Sequence, residues 1–226
     1  MSKHLERDLD ALESRLLAQA SIVEAMIHKA SRGLIETRRE LLANVIELEQ
    51  QVDREEVLIE ESCLKILALH QPVAVDLRRT ATIMKVNNDL ERIADLAVNI
   101  AERAQSLFLH TGLVVPDAFD RMVQVAVAMV RASIDAFVNL DTETARAVCL
   151  RDDEVDDLNR IVIEELHAVM RAEPKLVEAA VHLFSASRYI ERMADHATNI
   201  AEDVIYLVDG DITRHQHDLE QLVFPS

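Results

Sequence analysis

Residues 91–102 read ERIADLAVNIAE, and residues 191–202 read ERMADHATNIAE. Nine of the twelve positions agree, without a gap, at an offset of 100 residues. Such a duplication decides the architecture before any propensity is counted, because each copy must sit in one repeated structural unit. Wound as an α-helix, the first copy gathers Leu90, Ile93, Ala97 and Ile100 on one side. Glu91, Asp95 and Glu102 fall nearly opposite, with Asn88 and Asn99 beside them. The second copy repeats the polar side as Glu191, Asp195, Asn199 and Glu202.

Working outward, the same spacing of three and four runs through nearly the whole chain. The 226 residues include only 3 glycines and 4 prolines, which disfavours turn-rich β folds and favours long helices. A first helix is expected over about 3–32, with Leu5, Leu9, Leu12, Leu16, Val23, Met26 and Ala30 as its inner seam and Gly33 as its stop or bend. A second covers about 36–69, with Val45, Leu48, Val52, Ile59, Cys63 and Ile66 inside. Gln71-Pro72 closes it, since a proline pushes the preceding residue out of the α region. The third, about 73–109, carries the opening stretch. Segment 110–117, HTGLVVPD, breaks the pattern. Three more helices follow at about 117–139, 142–170 and 174–208, with Asp141 or Thr142 as an N-cap and Glu173-Pro174 in the place of Gln71-Pro72.

The expected fold is therefore all-α: two tandem three-helix bundles related by a pseudo-two-fold internal repeat, built on long helices and elongated overall. The repeats are placed at 1–112 and 113–210, with a tail at 211–226.

A formal net charge of -17 argues against nucleic acid and against an anionic membrane surface, because like charges repel. Cations, or a basic surface on another protein, suit it better. Cys63 and Cys149 fall among apolar neighbours and read as buried free thiols. No apolar signal region opens the chain, and no run of eighteen uncharged apolar residues is seen. The expectation is a cytoplasmic protein without membrane insertion.

The chemistry lies in the carboxylates. Like charges at i,i+4 sit about 5–6 Å apart and repel by a few tenths of a kcal/mol, a sign that a bound cation reverses. Carboxylates with neighbouring amides form the oxygen set that hard cations prefer. The second helix of each repeat has its own pair, Glu49/Asp53 and Asp152/Asp156, with Val52 and Val155 on the seam between them. Since the second and third helices of a bundle are antiparallel neighbours, Glu49/Asp53 can meet Glu91/Asp95, and Asp152/Asp156 can meet Glu191/Asp195. Four carboxylates from two helices can hold more than one ion. Asn99, Glu102, Asn199, Glu202 and His196 are additional ligand candidates; His196 replaces Leu96 and would serve one repeat only. Arg92 and Arg192 either balance charge or bind an anion. Against all this stands the plain alternative that an acidic outer face is merely solvated.

Taken together, these residues resemble the PhoU family, the accessory and regulatory proteins of phosphate-specific transport. The resemblance extends from the first helix to about residue 208. It is strongest in LERIADLAVNIAE (90–102) and IERMADHATNIAE (190–202), and is supported by Gln71-Pro72 and the Glu49/Asp53 and Asp152/Asp156 pairs. The family more often has glycine where this chain has Ala94 and Ala194, and alanine keeps those positions small. The resemblance implies two similar three-helix bundles. It also implies surface metal ions, divalent or trivalent, in a multinuclear iron or zinc cluster with no organic cofactor. The implied ligands are Glu49, Asp53, Glu91, Asp95, Asp152, Asp156, Glu191 and Asp195. The implied role is non-enzymatic: restraint of phosphate uptake and of phosphate-starvation two-component signalling through contacts with a sensor histidine kinase and the phosphate ABC transporter ATPase, commonly as a homodimer.

Two other functions compete with this one. A metal-free helical adaptor would use the acidic face to bind a basic partner. A di-iron carboxylate oxidase needs Glu-x-x-His motifs on two helices around a closed core. Only Glu164 to His167 has that spacing, and it has no counterpart in the other repeat. Glu178 to His182 is an i,i+4 pair, too weak alone to mark a site. No glycine-rich phosphate loop and no convergent nucleophile triad can be placed.

Overall fold

In a computed structural model, residues 3–110 and 112–210 are described. They form six α-helices: α1 (Lys3–Ile35), α2 (Arg39–His70), α3 (Ala74–Leu107), α4 (Asp117–Asn139), α5 (Thr142–Ala172) and α6 (Val177–Asp209). A short 3-10 turn, Pro174–Leu176, leads into α6. Helices α1–α3 pack on one another as one bundle and α4–α6 as a second. The bundles are joined chiefly through α3 against α6, with a smaller contact of α1 on α4. The two helices that carry the duplicated stretch therefore lie side by side at the centre. The expected tail, 211–226, lies outside the described residues.

The seams named from periodicity supply the core. Every seam residue of α1 is buried, from Leu5 to Ala30, and so are Val45, Val52, Ile59, Cys63 and Ile66 of α2. Leu48 is only partly buried. On α3, Ile83, Val86, Leu90, Ile93, Ala97, Ile100 and Ala104 are all inside. Burying such side chains contributes about 1.5–3 kcal/mol each.

The helix ends show why the chain breaks where it does. Gln71 takes the left-handed conformation at φ 46° and closes α2, with Pro72 following. Gly210 does the same for α6 at φ 81°. Asp141 caps α5 by accepting hydrogen bonds from the backbone N–H of Glu143 and Thr144, and the Thr144 hydroxyl, followed by these backbone donors, holds its carboxyl below the usual carboxylate range.

One expectation needs correction. Gly33 does not stop the first helix, because α1 runs on to Ile35. It is instead a point of close approach: a Cβ built there would lie 2.4 Å from Leu42 Cδ2, and Leu42 is fully buried. Gly33→Ala should therefore lower stability by about 1–3 kcal/mol through overpacking, read as an earlier denaturant midpoint with unchanged slope. By length and mean composition α4 could cross a membrane, but Arg131 and Asp135 interrupt its apolar run, in keeping with the absence of eighteen uncharged apolar residues. Its apolar side is spent in the bundle, where Phe119, Met122, Ala126, Met129, Val130 and Phe137 are buried.

Candidate metal centres in the interhelical grooves

The α2/α3 groove holds the first set of carboxylates. Glu49 and Glu91 are half-buried and Asp95 is intermediate, while Asp53 and Glu102 are exposed. The stripe thus lies in a groove rather than on a fully solvated face. Burial raises the Glu49 carboxyl, and the charges of Asp53, Asp95 and Glu102 raise it further. Burial likewise raises Glu91; Asp95, Glu56 and Asp53 add to that, and Arg92 opposes it. The two helices therefore bring Glu49, Asp53, Glu91 and Asp95 within electrostatic reach of one another, as antiparallel packing requires.

The α5/α6 groove repeats the arrangement more strongly. Asp152 is pushed up to about 6 by burial and by the charges of Asp195, Asp156, Asp153 and Glu191. Burial raises Glu191 too, with Asp156 and Asp195 adding and Arg188 opposing. Asp195 is raised by burial and then by Asp156, against His196, Arg188 and Arg192. The like-charge part of these shifts is repulsion that a bound cation would relieve.

One position was missed from sequence. Glu56 follows Asp53 by one helical turn and contributes its charge to Glu91; its own carboxyl is raised by burial, then by Glu60 and Asp53. Asn159 holds the equivalent place in α5 and hydrogen-bonds Glu191, leaving its Oδ1 buried without a hydrogen-bond partner. The signal was available: Glu49, Asp53 and Glu56 are spaced i, i+4, i+7, as are Asp152, Asp156 and Asn159.

The arginines act as resident counter-charges. Arg92 reaches Glu91 at 3.4 Å and Asp95 at 3.4 Å. In the second repeat Arg188, one turn before Glu191, takes that part at 2.5 Å. Among the additional candidates, Glu102 faces Glu49, and Glu202 acts on Cys149 of α5. His196 points to the other repeat instead, with Nδ1 2.8 Å from Asp89 Oδ1. His196 also lines an open cleft of about 720 Å³ between α3 and α6, together with Asn199, Glu202, Arg92 and Arg192. Asn99 is half-buried. Burial pushes the Cys63 thiol up to about 12 and the Cys149 thiol up to about 11, so both are poor thiolate sources.

A third cluster lies away from the grooves. His110, just beyond α3, meets Glu178 and His182 of α6, with one ligand atom from each residue within 4.8 Å of the others.

Fold and grooves together define a class: tandem three-helix bundles in which each repeat presents carboxylates from its second and third helices. Comparison with known proteins gives that class a family. The PhoU domain model matches twice, at residues 16–104 and 119–204, once per repeat. A phosphate-specific transport system accessory protein PhoU homolog of Deinococcus radiodurans is 36% identical over 210 residues, covering 93% of this chain and 99% of that protein. The homolog of Pseudomonas aeruginosa is 36% identical over 219 residues, covering 95% and 89%. The crystal structure of PhoU from Pseudomonas aeruginosa superposes with a TM-score of 0.87 at 35% identity, covering 91% of this chain and 99% of that one. PhoU from Streptococcus pneumoniae has the same fold, with a TM-score of 0.86 at 24% identity.

The chain belongs to the PhoU family. It is accordingly a regulatory protein and not an enzyme.

Proposed function

We propose that this protein restrains phosphate uptake and phosphate-starvation signalling when phosphate is plentiful, and that it carries metal ions in its two carboxylate grooves. The observation that carries the metal reading is the raised Asp152 carboxyl among Asp156, Glu191 and Asp195, matched by raised Glu49 and Glu91 in the other repeat. The donor set fits a hard or borderline cation, divalent or trivalent, and the family resemblance makes iron and zinc the leading choices. Glu49, Asp53, Glu91 and Asp95 would hold one centre, and Asp152, Asp156, Glu191 and Asp195 the other. Glu102 and Glu202 are further ligand candidates. Bound metal would replace like-charge repulsion by attraction and lock α2 to α3 and α5 to α6. Partners follow from the relatives' role in phosphate-specific transport: the transporter ATPase and the sensor histidine kinase, approached from the cytoplasm by a homodimer.

A second reading keeps the regulation and drops the ions. Arg92 on Glu91 and Asp95, and Arg188 on Glu191, already neutralise part of each groove without metal. Metal analysis of protein purified without chelator separates the two readings, since the first requires at least about one ion per chain on this donor set. The regulatory reading has its own test. Deleting the gene should raise phosphate uptake and alkaline phosphatase activity in phosphate-replete cells. Unchanged activity would count against it.

A further inference from the structure

We infer that His110, Glu178 and His182 form a further metal site, selective for a zinc-class divalent ion and separate from the carboxylate grooves. Two imidazoles and one carboxylate are a ligand set that suits Zn²⁺, with water completing a tetrahedron. Glu178 and His182 stand one turn apart at the start of α6, so both project from one helical face. His110 arrives from the connection between the repeats, and its Nε2 is already 3.8 Å from Glu178 Oε1. In a tetrahedral zinc site the donor atoms are about 3.4 Å apart, given bonds of about 2.0–2.1 Å. Closing the present 4.8 Å spread therefore needs only modest side-chain rotation. The Glu178 side chain is free to supply it, being 74% exposed.

A second, independent observation points to a ligand here. His182 Nδ1 is buried without a hydrogen-bond partner, which is uncommon for a buried polar atom. The two imidazole rings lie 6.1 Å apart, centre to centre, and tilted by 33°. The charged groups facing His182 are Arg103 of α3, His110 and Glu178. Burial, Arg103 and His110 all disfavour a positive charge on the His182 ring. Arg103 repels a bound cation as well, so Glu178 is needed as the charged ligand. An ion held there would clasp the exit of the first repeat to the third helix of the second.

The test is a calorimetric titration with Zn²⁺ of the untagged full chain, stripped of metal, read as the difference between wild type and the variants below because the carboxylate grooves also take Zn²⁺. Wild type should bind one Zn²⁺ per chain at this site. The H110A/H182A double variant should lose that equivalent, with affinity reduced more than about 100-fold, and E178Q should weaken it. Co²⁺ in place of Zn²⁺ should give the visible absorption of a tetrahedral ion in wild type and not in the double variant. Far-ultraviolet dichroism checks that the helices are kept, and H182Q serves if H110A/H182A does not fold. Equal Zn²⁺ binding by wild type and the histidine variants would overturn the site, as would the absence of any Zn²⁺ binding by wild type.

Discussion

Replacing Asp95 and Asp195 together by asparagine should empty the two grooves of metal and, at the same time, make the metal-free protein more stable. The two effects have one cause. Asp195 raises the Asp152 carboxyl, and Asp95 raises those of Glu49 and Glu91. Each aspartate thus adds like charge to a half-buried cluster, which is unfavourable until a cation arrives. Asparagine keeps the size and one oxygen but removes the charge. Relief of repulsion should raise metal-free stability by about 0.5–2 kcal/mol, the range that removing unfavourable charge commonly yields. Metal affinity should fall by more than about 100-fold, since losing a direct ligand exceeds the loss seen when only its supporting neighbours are changed. Elemental analysis of protein purified without chelator, alongside urea melts of the stripped protein, reads both. Unchanged metal content in D95N/D195N would refute the ligand assignment. Lower stability of the stripped variant would refute the repulsion argument. The H110A/H182A variant provides a contrast, because it should keep the groove metal.

The fold was legible because the apolar seam of each helix is regular. Leu5 to Ala30 on α1 and Ile83 to Ala104 on α3 were picked by period alone and are buried as one continuous core. Duplication then ordered the helices, and two matched helices packed together are what a repeat about an axis produces. The groove carboxylates were legible for a related reason: they sit at fixed helical angles from that seam. Three features were not. Glu56 was missed although it lies on the same stripe, because only i,i+4 pairs were sought. Gly33 reads as a helix stop until Leu42 is seen packed against it, a contact that depends on the turn between α1 and α2. The meeting of His110 with Glu178 and His182 joins residues from different repeats, and no local spacing encodes it. His196 shows the same limit from the other side. Its motif position suggested a groove ligand, yet its partner is Asp89 across the bundle interface.

Acidification should stabilise the metal-free protein and weaken its hold on metal, with Asp152 the main pivot. Its folded pKa of about 6 lies above the ordinary 3.8, so the folded state takes up a proton before the unfolded chain does. The resulting stabilisation is complete below about 3.8 and is lost as pH rises through about 6. Glu49, Glu91, Glu191 and Asp195 are raised as well and act with the same sign. His182 works in the opposite direction, because its folded pKa is lowered and protonation at acid pH favours the unfolded chain. Asp8 and Glu36, held low by their His70 and Arg32 partners, also oppose the trend, but only in the ordinary carboxylate range below. The comparison that isolates the pivot is therefore wild type against D152N. As pH falls from about 7 to about 3, the stripped wild type should gain stability relative to D152N, most steeply between about 6 and 3.8, and the difference should flatten on either side. Metal reverses the sign: each bound ion must displace the Asp152 proton, so affinity should drop by about tenfold per pH unit below 6. Mn²⁺, which prefers oxygen ligands, is a suitable probe because it passes over the histidine cluster. Parallel pH profiles for wild type and D152N, in either stability or Mn²⁺ affinity, would show that Asp152 is not the group through which protons and metal compete.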